Sequence, residues 1–272
     1  MERIQKAMEK LQAGKTAPRI EPSMHADIGR KGATSASDSD TQIFKTPALP
    51  VDQALLERNR ILLPGAPGPL GRPYKMLRTQ VLQRMEQIGA NSLAILSPTN
   101  NAGKTLTAIN LAIAIAAEEG RTALLIDFDL RNPSIHRHLG LKPELGVEDC
   151  IEGQYAVREA MLKLAGYDRL TVLPARRTIE ASSELLTDKR TAEVVAELRG
   201  RYPNRILIFD IPPVLQADDA LAFTHNVQAG LMVVREGLTR REDVQRSIEM
   251  LRDLTIVGTV LNASRDPQAG GY

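Results

Sequence analysis

A glycine-lysine-threonine triplet gives the first indication of chemistry in this sequence. In the stretch "LAILSPTNNAGKT", Gly103, Lys104 and Thr105 follow an apolar run typical of a strand and precede a helical pattern. At such a junction, backbone N–H groups and the helix N-terminus can bind phosphates, the lysine supplies a positive charge, and the threonine hydroxyl can reach Mg²⁺. The triplet in this context predicts a nucleotide-binding loop.

The residues before the triplet are Asn100, Asn101 and Ala102, where such loops usually carry glycine. Asparagine tolerates the left-handed backbone conformation better than most other non-glycine residues, so this loop can still form. The residues expected to bind the nucleotide are Asn101, Ala102, Gly103, Lys104, Thr105 and Leu106.

Two further stretches carry aspartates at the ends of apolar runs. In "LLIDFDLRNP", Asp127 and Asp129 alternate with apolar residues, so both carboxylates point to the same side of an extended strand end. One such aspartate could be a helix N-cap or part of a turn, whereas two at the end of a core strand indicate a pair that handles a metal ion and a proton. In "ILIFDIPP", Asp210 follows four apolar residues and suits a carboxylate that holds Mg²⁺ directly or through water.

Strand-like and helix-like patterns alternate along most of the chain. The predicted strands are 92–97, 122–129, 170–175, 205–211, 230–236 and 256–262. The predicted helices are 71–89, 104–119, 182–202, 217–227 and 240–254, with a helical region after Asn132. Several strands are apolar on both faces, which is typical of a parallel sheet covered by helices. We therefore predict an α/β fold with a doubly wound, mostly parallel sheet, in which the loops after Leu96, Ile126 and Phe209 converge on one site.

The composition favours a globular protein with no general affinity for nucleic acid. The chain has 272 residues, of which 43% are hydrophobic, and a formal net charge of +2. The single cysteine, Cys150, has no neighbouring Cys or His at metal-ligand spacing, so a reducing cytoplasm is expected. No apolar run reaches the roughly 18 to 20 residues that span a bilayer, and the charged N-terminus is unlike a signal peptide.

The chain is expected to divide into four parts. Residues 1–12 place their apolar side chains at helical spacing, which indicates either a short amphipathic helix that docks a partner protein or a frayed, solvated terminus. Residues 13–50 are rich in Ser, Thr, Gly, Pro and Asp and are predicted to be a flexible linker. Residues 51–264 are expected to form the nucleotide-binding domain, and residues 265–272 a flexible tail that ends in Tyr272.

Together, the three motifs resemble those of the bacterial tyrosine kinases that accompany exopolysaccharide and capsule export and are built on a MinD-like P-loop ATPase fold. The likeness covers roughly residues 52 to 264 and includes "SSELL" (182–186), "DDALAF" (218–223) and "GTVLN" (258–262). The stretches "MERIQKAMEKL" and "ALLERNRILLP" are most similar to the stand-alone cytoplasmic kinases of exosortase-associated exopolysaccharide clusters.

This resemblance implies ATP and Mg²⁺ as cofactors and suggests a role for each motif residue. The implied catalytic residues are Lys104, Asp127 and Asp129, and the implied metal ligands are Thr105, Asp127 and Asp210. Asp129 would take the proton from a tyrosine, because tyrosine, with a pKa near 10, is a poor nucleophile until a carboxylate accepts its proton. Asn262, after the last strand, resembles the asparagine that contacts the purine in related ATPases.

Two departures from the family pattern concern self-association and the phosphoacceptor. The family assembles into rings through a Glu-x-x-Arg-x-x-Arg helix motif, whereas this sequence has Arg72, Lys75 and Arg78 at those positions. A positive charge in place of the carboxylate removes an ion pair, so any ring should be weak or absent. Members of the family normally end in a cluster of tyrosines that are phosphorylated, whereas the tail of this sequence has one, Tyr272. Tyr272 is either the phosphoacceptor or an unrelated terminal residue. The other tyrosines, predicted to be less accessible, are Tyr74, Tyr155, Tyr167 and Tyr202.

The function implied by the resemblance is that of an ATP-dependent protein-tyrosine autokinase that regulates exopolysaccharide polymerisation or export. Its activating partner would be a membrane copolymerase of the chain-length determinant type, which would bring this cytoplasmic protein to the inner face of the cell membrane. The altered loop leaves a weakly active or inactive nucleotide-binding regulator as one alternative. A MinD/ParA-type ATPase is another, although those proteins commonly carry an additional lysine early in the loop and residues 98–102 contain none.

Overall fold

The computed structural model describes residues 48–64, 70–201, 204–216 and 218–264. The predicted N-terminal helix, the linker before residue 48 and the tail with Tyr272 lie outside these residues. Within the described ranges, no helix combines the length and the apolar character needed to cross a membrane.

A seven-stranded sheet forms the centre of the described domain. Its strands are β1 (Ser92–Leu96), β2 (Thr122–Asp127), β3 (Leu162–Lys163), β4 (Leu170–Leu173), β5 (Arg205–Asp210), β6 (Ala229–Arg235) and β7 (Thr255–Asn262). Their spatial order is β3-β4-β2-β5-β1-β6-β7, with β3 antiparallel to β4 and the other neighbours parallel. The predicted mostly parallel sheet is confirmed, and the three strands that precede the motifs are central neighbours, in the order β2-β5-β1.

Helices cover both faces of the sheet. They are α1 (Gln53–Arg58), α2 (Gly71–Gln87), α3 (Lys104–Ala116), α4 (Ile135–Leu139), α5 (Val147–Ile151), α6 (Val157–Ala160), α7 (Ser182–Thr187), α8 (Lys189–Arg201), α9 (Asp219–Thr224) and α10 (Arg241–Met250). Leu93 and Ile95 of β1 belong to the apolar cluster that includes α2 and α3, whereas Ala94 and Leu96 belong to the cluster that includes α7, α8 and α9. This alternation is the doubly wound arrangement that the apolar strands predicted.

One predicted helix is in fact two. The prediction of a continuous helix over 182–202 was wrong, because Asp188 adopts an extended conformation with ψ 142° and ends α7. Its Oδ1 accepts a hydrogen bond from Arg190 N at 2.7 Å, at the start of α8. An aspartate side chain that bonds nearby backbone N–H groups competes with a continuing helix and favours a new helix start. The other predicted helices and strands are present, some with shorter bounds; α3, for example, ends at Ala116.

Sequence reasoning missed α1, α5, α6 and β3, which are too short to show a hydrophobic period. The segment after α1 is fixed by Asn110, a buried residue of α3. Asn110 Oδ1 accepts from Leu62 N at 2.8 Å, and its Nδ2 donates to Arg60 O at 2.9 Å. Both ends of this amide are therefore satisfied by the chain that crosses α3, the helix that follows the nucleotide-binding loop.

Candidate active site

The predicted nucleotide-binding loop connects β1 to α3, which begins at Lys104. Asn101 has φ 63° and Gly103 has φ 88°, so both residues adopt the left-handed conformation. Glycine enters this conformation freely and asparagine tolerates it, which explains how the loop turns without further glycines. The expectation that the loop can form with Asn101 in its turn is confirmed.

Two side chains at the ends of β6 and β7 hold the carbonyls of this loop. Arg235 Nη1 donates to Asn101 O at 3.0 Å, and Asn262 Nδ2 donates to Ala102 O at 2.8 Å. A Cβ atom on Gly103 would lie 1.9 Å from Asn262 Nδ2 and would displace that side chain, and φ 88° would strain any other residue, so the position favours glycine. Asn262 thus supports the loop backbone, and its contact with a purine stays a prediction.

Lys104 is buried in the first turn of α3 and pairs with two carboxylates. Its Nζ lies 2.6 Å from Asp210 Oδ1 and 3.3 Å from Asp129 Oδ2. Burial acts to lower the pKa of Lys104, but the attraction of Asp210 and Asp129 outweighs burial and raises the pKa above its ordinary value. The lysine therefore carries its charge at neutral pH, as phosphate binding requires.

Asp210 connects the lysine and the threonine of the triplet. Thr105 Oγ1 lies 2.6 Å from Asp210 Oδ2, the second oxygen of the carboxylate that pairs with Lys104. Asp210 is the last residue of β5, the strand that lies between β1 and β2 in the sheet. Its backbone O accepts a hydrogen bond from Phe128 N at 2.8 Å. This position at the centre of the sheet brings all three sequence motifs together, as the topology predicted.

Asp127 is fully buried at the end of β2 and is held by the start of α4. Its Oδ2 accepts from Ser134 N at 2.9 Å and from Ile135 N at 3.0 Å. Burial, and next the repulsion of Asp210, raise the pKa of Asp127 well above its ordinary value, and the hydrogen bond from Ile135 N opposes the rise only in part. A cation beside Asp127 would stabilise its ionised form.

Asp129 lies beyond the strand end and is nearly buried. Its Oδ2 faces Lys104 Nζ at 3.3 Å, its Oδ1 accepts from Asn132 N at 3.2 Å, and its own N–H donates to Asp127 Oδ1 at 3.3 Å. Burial raises the pKa of Asp129, while the charge of Lys104 limits the increase. A carboxylate in this environment has an increased affinity for a proton, which suits a general base.

The charges of the site fit a divalent cation bound together with phosphates. Asp127, Asp129 and Asp210 surround Lys104, so negative charge is in excess. Among the described residues, no group of three or more His, Cys, Asp and Glu side chains is arranged to hold a metal alone. Mg²⁺ commonly binds through one or two carboxylates plus substrate phosphates and water, so the donor set suits a metal that binds with the nucleotide.

Sequence reasoning missed Ser134, which links two of the predicted metal ligands. Its N–H donates to Asp127, and its Oγ lies 3.2 Å from Thr105 Oγ1. A serine directly before an apolar helical stretch is a helix start signal, which could have identified it. Leu106, also predicted to bind the nucleotide, is partly buried and packs against the apolar cluster that includes α3.

The described tyrosines differ in accessibility. Tyr167 is buried and Tyr74 is half-buried, and burial raises the pKa of both, that of Tyr167 to about 12. Tyr155 is 45% exposed between α5 and α6, and whether it is less accessible than Tyr272 stays a prediction. The remaining two, Tyr202 and Tyr272, lie outside the described residues.

Several similar proteins are named as tyrosine kinases. The chain is 26% identical over 212 residues to the tyrosine-protein kinase YwqD of Bacillus subtilis, a match that covers 77% of this chain and 88% of YwqD. It is 27% identical over 212 residues to the tyrosine-protein kinase wzc of Salmonella typhi, covering 76% of this chain and 29% of wzc. The chain thus spans most of YwqD but less than a third of wzc.

Solved structures share the fold. The kinase domain of the Escherichia coli tyrosine kinase ETK has 27% identity and a TM-score of 0.65, with 73% of this chain and 77% of that domain covered. The cell division ATPase MinD of Pyrococcus furiosus has 25% identity and a TM-score of 0.56, with 66% and 78% covered. The family described as "CobQ/CobB/MinD/ParA nucleotide binding domain" matches residues 93–270, which is more than half of the chain, and the protein belongs to this family.

Proposed function

We propose that this protein is an ATP-dependent protein-tyrosine autokinase that regulates exopolysaccharide polymerisation or export. The observation that carries the proposal is the contact of Lys104, in the first turn after the phosphate loop, with both Asp129 and Asp210. Such a cluster would place the positive charge of Lys104, which can bind phosphates, within a few ångströms of the Asp129 carboxylate, which can accept the proton of a tyrosine. The similarity to proteins named tyrosine-protein kinases supports tyrosine as the acceptor.

ATP would bind with its phosphates at the N-terminus of α3. Lys104 and Thr105 are both bonded to Asp210, so a nucleotide would exchange these contacts for its own phosphate oxygens and its metal ion. Mg²⁺, held by Thr105, Asp127 and Asp210, would neutralise charge on the phosphates. The excess of carboxylates around Lys104 supports this assignment.

In the transfer step, the tyrosine oxygen would bond to the γ-phosphorus while the bond from that phosphorus to the β–γ bridging oxygen breaks and ADP leaves. The phenolic proton would pass to Asp129, whose pKa is raised by burial. The hydrogen bond from Asn132 N to Asp129 Oδ1 would keep the carboxylate oriented. Tyr272 is the proposed acceptor, and the exposed Tyr155 is the second choice.

The proposed partner is a membrane polysaccharide copolymerase of the chain-length determinant type. A putative tyrosine-protein kinase in the cps region of Klebsiella pneumoniae is 28% identical to this chain over 191 residues, which supports a link to polysaccharide machinery. Binding to such a partner would bring the protein to the inner face of the membrane and activate it.

The test is to incubate purified protein with Mg²⁺ and γ-labelled ATP, with and without the cytoplasmic segment of a copolymerase. We expect label on Tyr272 that is lost in Tyr272→Phe and in Asp129→Asn, while Tyr155→Phe, the matched control, keeps it. Free phosphate without labelled protein would instead identify an ATPase of the MinD/ParA type.

A nucleotide-sensing regulator is the second candidate function. One observation favours it: Asp210 bonds both Lys104 and Thr105, so a nucleotide would have to displace an internal network, which could change conformation without transfer. ATP binding with neither labelled protein nor free phosphate would support the regulator over the kinase.

A further inference from the structure

Three polar residues form a hydrogen-bonded cluster beside the candidate active site: the buried Ser182 and Asp219, and Arg131, whose side chain is 45% exposed. Arg131 Nε donates to Asp219 Oδ2 at 2.8 Å, and its Nη2 donates to Asp219 Oδ1 at 3.3 Å. Ser182 Oγ lies 2.5 Å from Asp219 Oδ2 and 3.1 Å from Arg131 Nε. Ser182 and Asp219 have no exposed surface, and a buried carboxylate is tolerated when it is paired and hydrogen-bonded in this way.

The cluster joins the stretch that carries Asp127 and Asp129 to two stretches that have no role in the proposed function. Arg131 belongs to "LLIDFDLRNP", two residues after Asp129. Ser182 begins α7 in "SSELL", and Asp219 begins α9 in "DDALAF". Because Arg131 bonds to both Ser182 and Asp219, α7 and α9 are both attached to the loop that carries Asp129.

Helix α9 holds this loop at a second point. Phe223 lies four residues after Asp219, on the same face of the helix. Its ring centroid is 4.4 Å from that of Phe128, the residue directly before Asp129. Helix α9 therefore contacts the loop on both sides of Asp129, at Phe128 through an aromatic ring and at Arg131 through an ion pair.

We propose that Arg131, Ser182 and Asp219 form a clamp that positions Asp129 for proton transfer, and that Arg131 is a positioning residue. The backbone between Asp129 and Arg131 is also fixed, because Leu130 is fully buried and its O accepts a hydrogen bond from Ile179 N at 2.8 Å. Without the clamp, the loop could shift the Asp129 carboxylate away from the acceptor hydroxyl, and general-base catalysis depends on hydrogen-bond reach. The inference rests on the proposed kinase function.

The clamp should affect transfer and leave nucleotide affinity nearly unchanged. The nucleotide-binding loop is supported by Arg235 and Asn262, which contact its carbonyls from β6 and β7. The clamp residues bond to one another and to Asp218, and none of their described hydrogen bonds reaches that loop. Loss of the clamp should therefore lower kcat more than it raises KM for ATP.

A second arginine–aspartate pair provides the matched control. Arg176 Nε and Nη2 each lie 2.8 Å from an oxygen of Asp149, which is 1% exposed. This pair has the same forked geometry and a similarly buried carboxylate, but its hydrogen bonds lie between α5 and the segment after β4. Arg176→Ala should therefore remove a comparable ion pair without releasing the loop of Asp129.

The experiment compares Arg131→Ala, Asp219→Asn and Arg176→Ala in the full chain, with kcat and KM for ATP measured on each. We expect the first two to lower kcat by about tenfold or more and to change KM by less than about threefold. Arg131→Lys, which keeps the charge without the planar fork, should recover part of the activity. Wild-type kcat in Arg131→Ala, or an equal loss in Arg176→Ala, would overturn the positioning role.

Amide hydrogen exchange separates this inference from the proposed function. Arg131→Ala and Asp219→Asn should speed exchange in residues 128–134, whereas Arg176→Ala should not. If the wild-type protein labels no tyrosine, the proposed function fails, and hydrogen exchange alone then tests whether the clamp fixes residues 128–134. Unchanged exchange in residues 128–134 of both variants would then refute the clamp.

Discussion

Lys104 and Asp210 join the first and third motifs of the site through a contact of 2.6 Å between Nζ and Oδ1. Both side chains are buried, with 7% and 0% of their surface exposed. Removing one partner of a buried pair leaves an uncompensated charge, which costs more than the pair itself contributes. Since the same two residues are expected to bind phosphate and metal, stability and ligand binding are coupled at this pair.

The first prediction concerns this pair. Lys104→Met should abolish ATP binding and destabilise the fold by about 3 to 5 kcal/mol at neutral pH, because three carboxylates would remain without their cation. Calorimetric melting and ATP titration measure the two effects. The double variant Lys104→Met/Asp210→Asn should be less destabilised than the sum of the two single variants; strict additivity would show that the contact is energetically unimportant.

The second prediction follows from the raised pKa of Asp127. Because burial and the repulsion of Asp210 raise this pKa above 3.8, the folded state binds the proton more tightly than the unfolded state does. Ionised Asp127 therefore costs stability, and this cost appears as pH rises through and above 3.8. Asp127→Asn should raise the melting temperature at pH 8, with a gain that disappears near pH 3.

Asp149 supplies a control of opposite sign. The hydrogen bond from Arg176 is the main reason that the pKa of Asp149 is lowered, so its ionised form stabilises the fold above its ordinary pKa. Asp149→Asn should lower the melting temperature at pH 8, and this loss should vanish as pH falls below 3.8 towards the lowered pKa. Equal pH dependence in the two variants would contradict the assigned directions.

The sequence was sufficient to predict the parts of the site that lie directly at strand ends. Asp127 and Asp210 end the apolar strands β2 and β5, residues 103–105 lie in the loop after β1, and the parallel sheet brings those strand ends together. The contacts that hold them could not be predicted, because they join distant positions. Arg131 meets Asp219 across 88 residues, and Asn262 meets Ala102 across 160.

The helices show the same limit of prediction from a local sequence pattern. The long, strongly periodic helix α2 was predicted within two residues of its observed end. The break at Asp188 was missed, because it depends on one side chain that bonds Arg190 N instead of leaving the backbone helical. Short elements such as α1 are defined by packing against other elements, which a local pattern does not contain.

The third prediction concerns the conformation of the nucleotide-binding loop. Gly103→Ala should reduce ATP affinity by more than about tenfold, since a Cβ would lie 1.9 Å from Asn262 Nδ2 and φ is 88°. Asn101→Gly, at φ 63°, should leave ATP affinity within about threefold of wild type, because both residues tolerate the left-handed conformation. Isothermal titration with ATP and Mg²⁺ measures both. Wild-type affinity in Gly103→Ala would show that the loop rearranges on binding.

The fourth prediction concerns Asn110, which binds the backbone of residues 60 and 62. Asn110→Leu should destabilise the domain by about 1 to 3 kcal/mol, because Leu62 N and Arg60 O would lose their partner in a partly buried position. Urea denaturation at neutral pH measures the change. Thr79→Ala removes an exposed side-chain bond to Lys75 O and should change stability by less than about 0.5 kcal/mol.

The fifth prediction concerns self-association. Arg78 is the residue of the ring motif that this chain retains, and it is bound within the chain: its Nε lies 3.0 Å from Glu118 Oε2, and its Nη1 donates to Ala114 O at 3.3 Å. Arg72 and Lys75 replace the glutamate and the first arginine of the family motif. With like charges where an ion pair is needed, the purified protein should not form a closed ring on its own at micromolar concentration.

Mass photometry checks this prediction, and restoring the motif provides the reverse experiment. Arg72→Glu combined with Lys75→Arg should raise the assembled fraction, because the carboxylate and the arginine fork return to their positions. Arg72→Gln with Lys75→Arg, which lacks only the carboxylate, is the matched control and should assemble less. A closed ring in the wild-type protein would mean that other contacts of the chain drive assembly and that the altered motif is not its determinant.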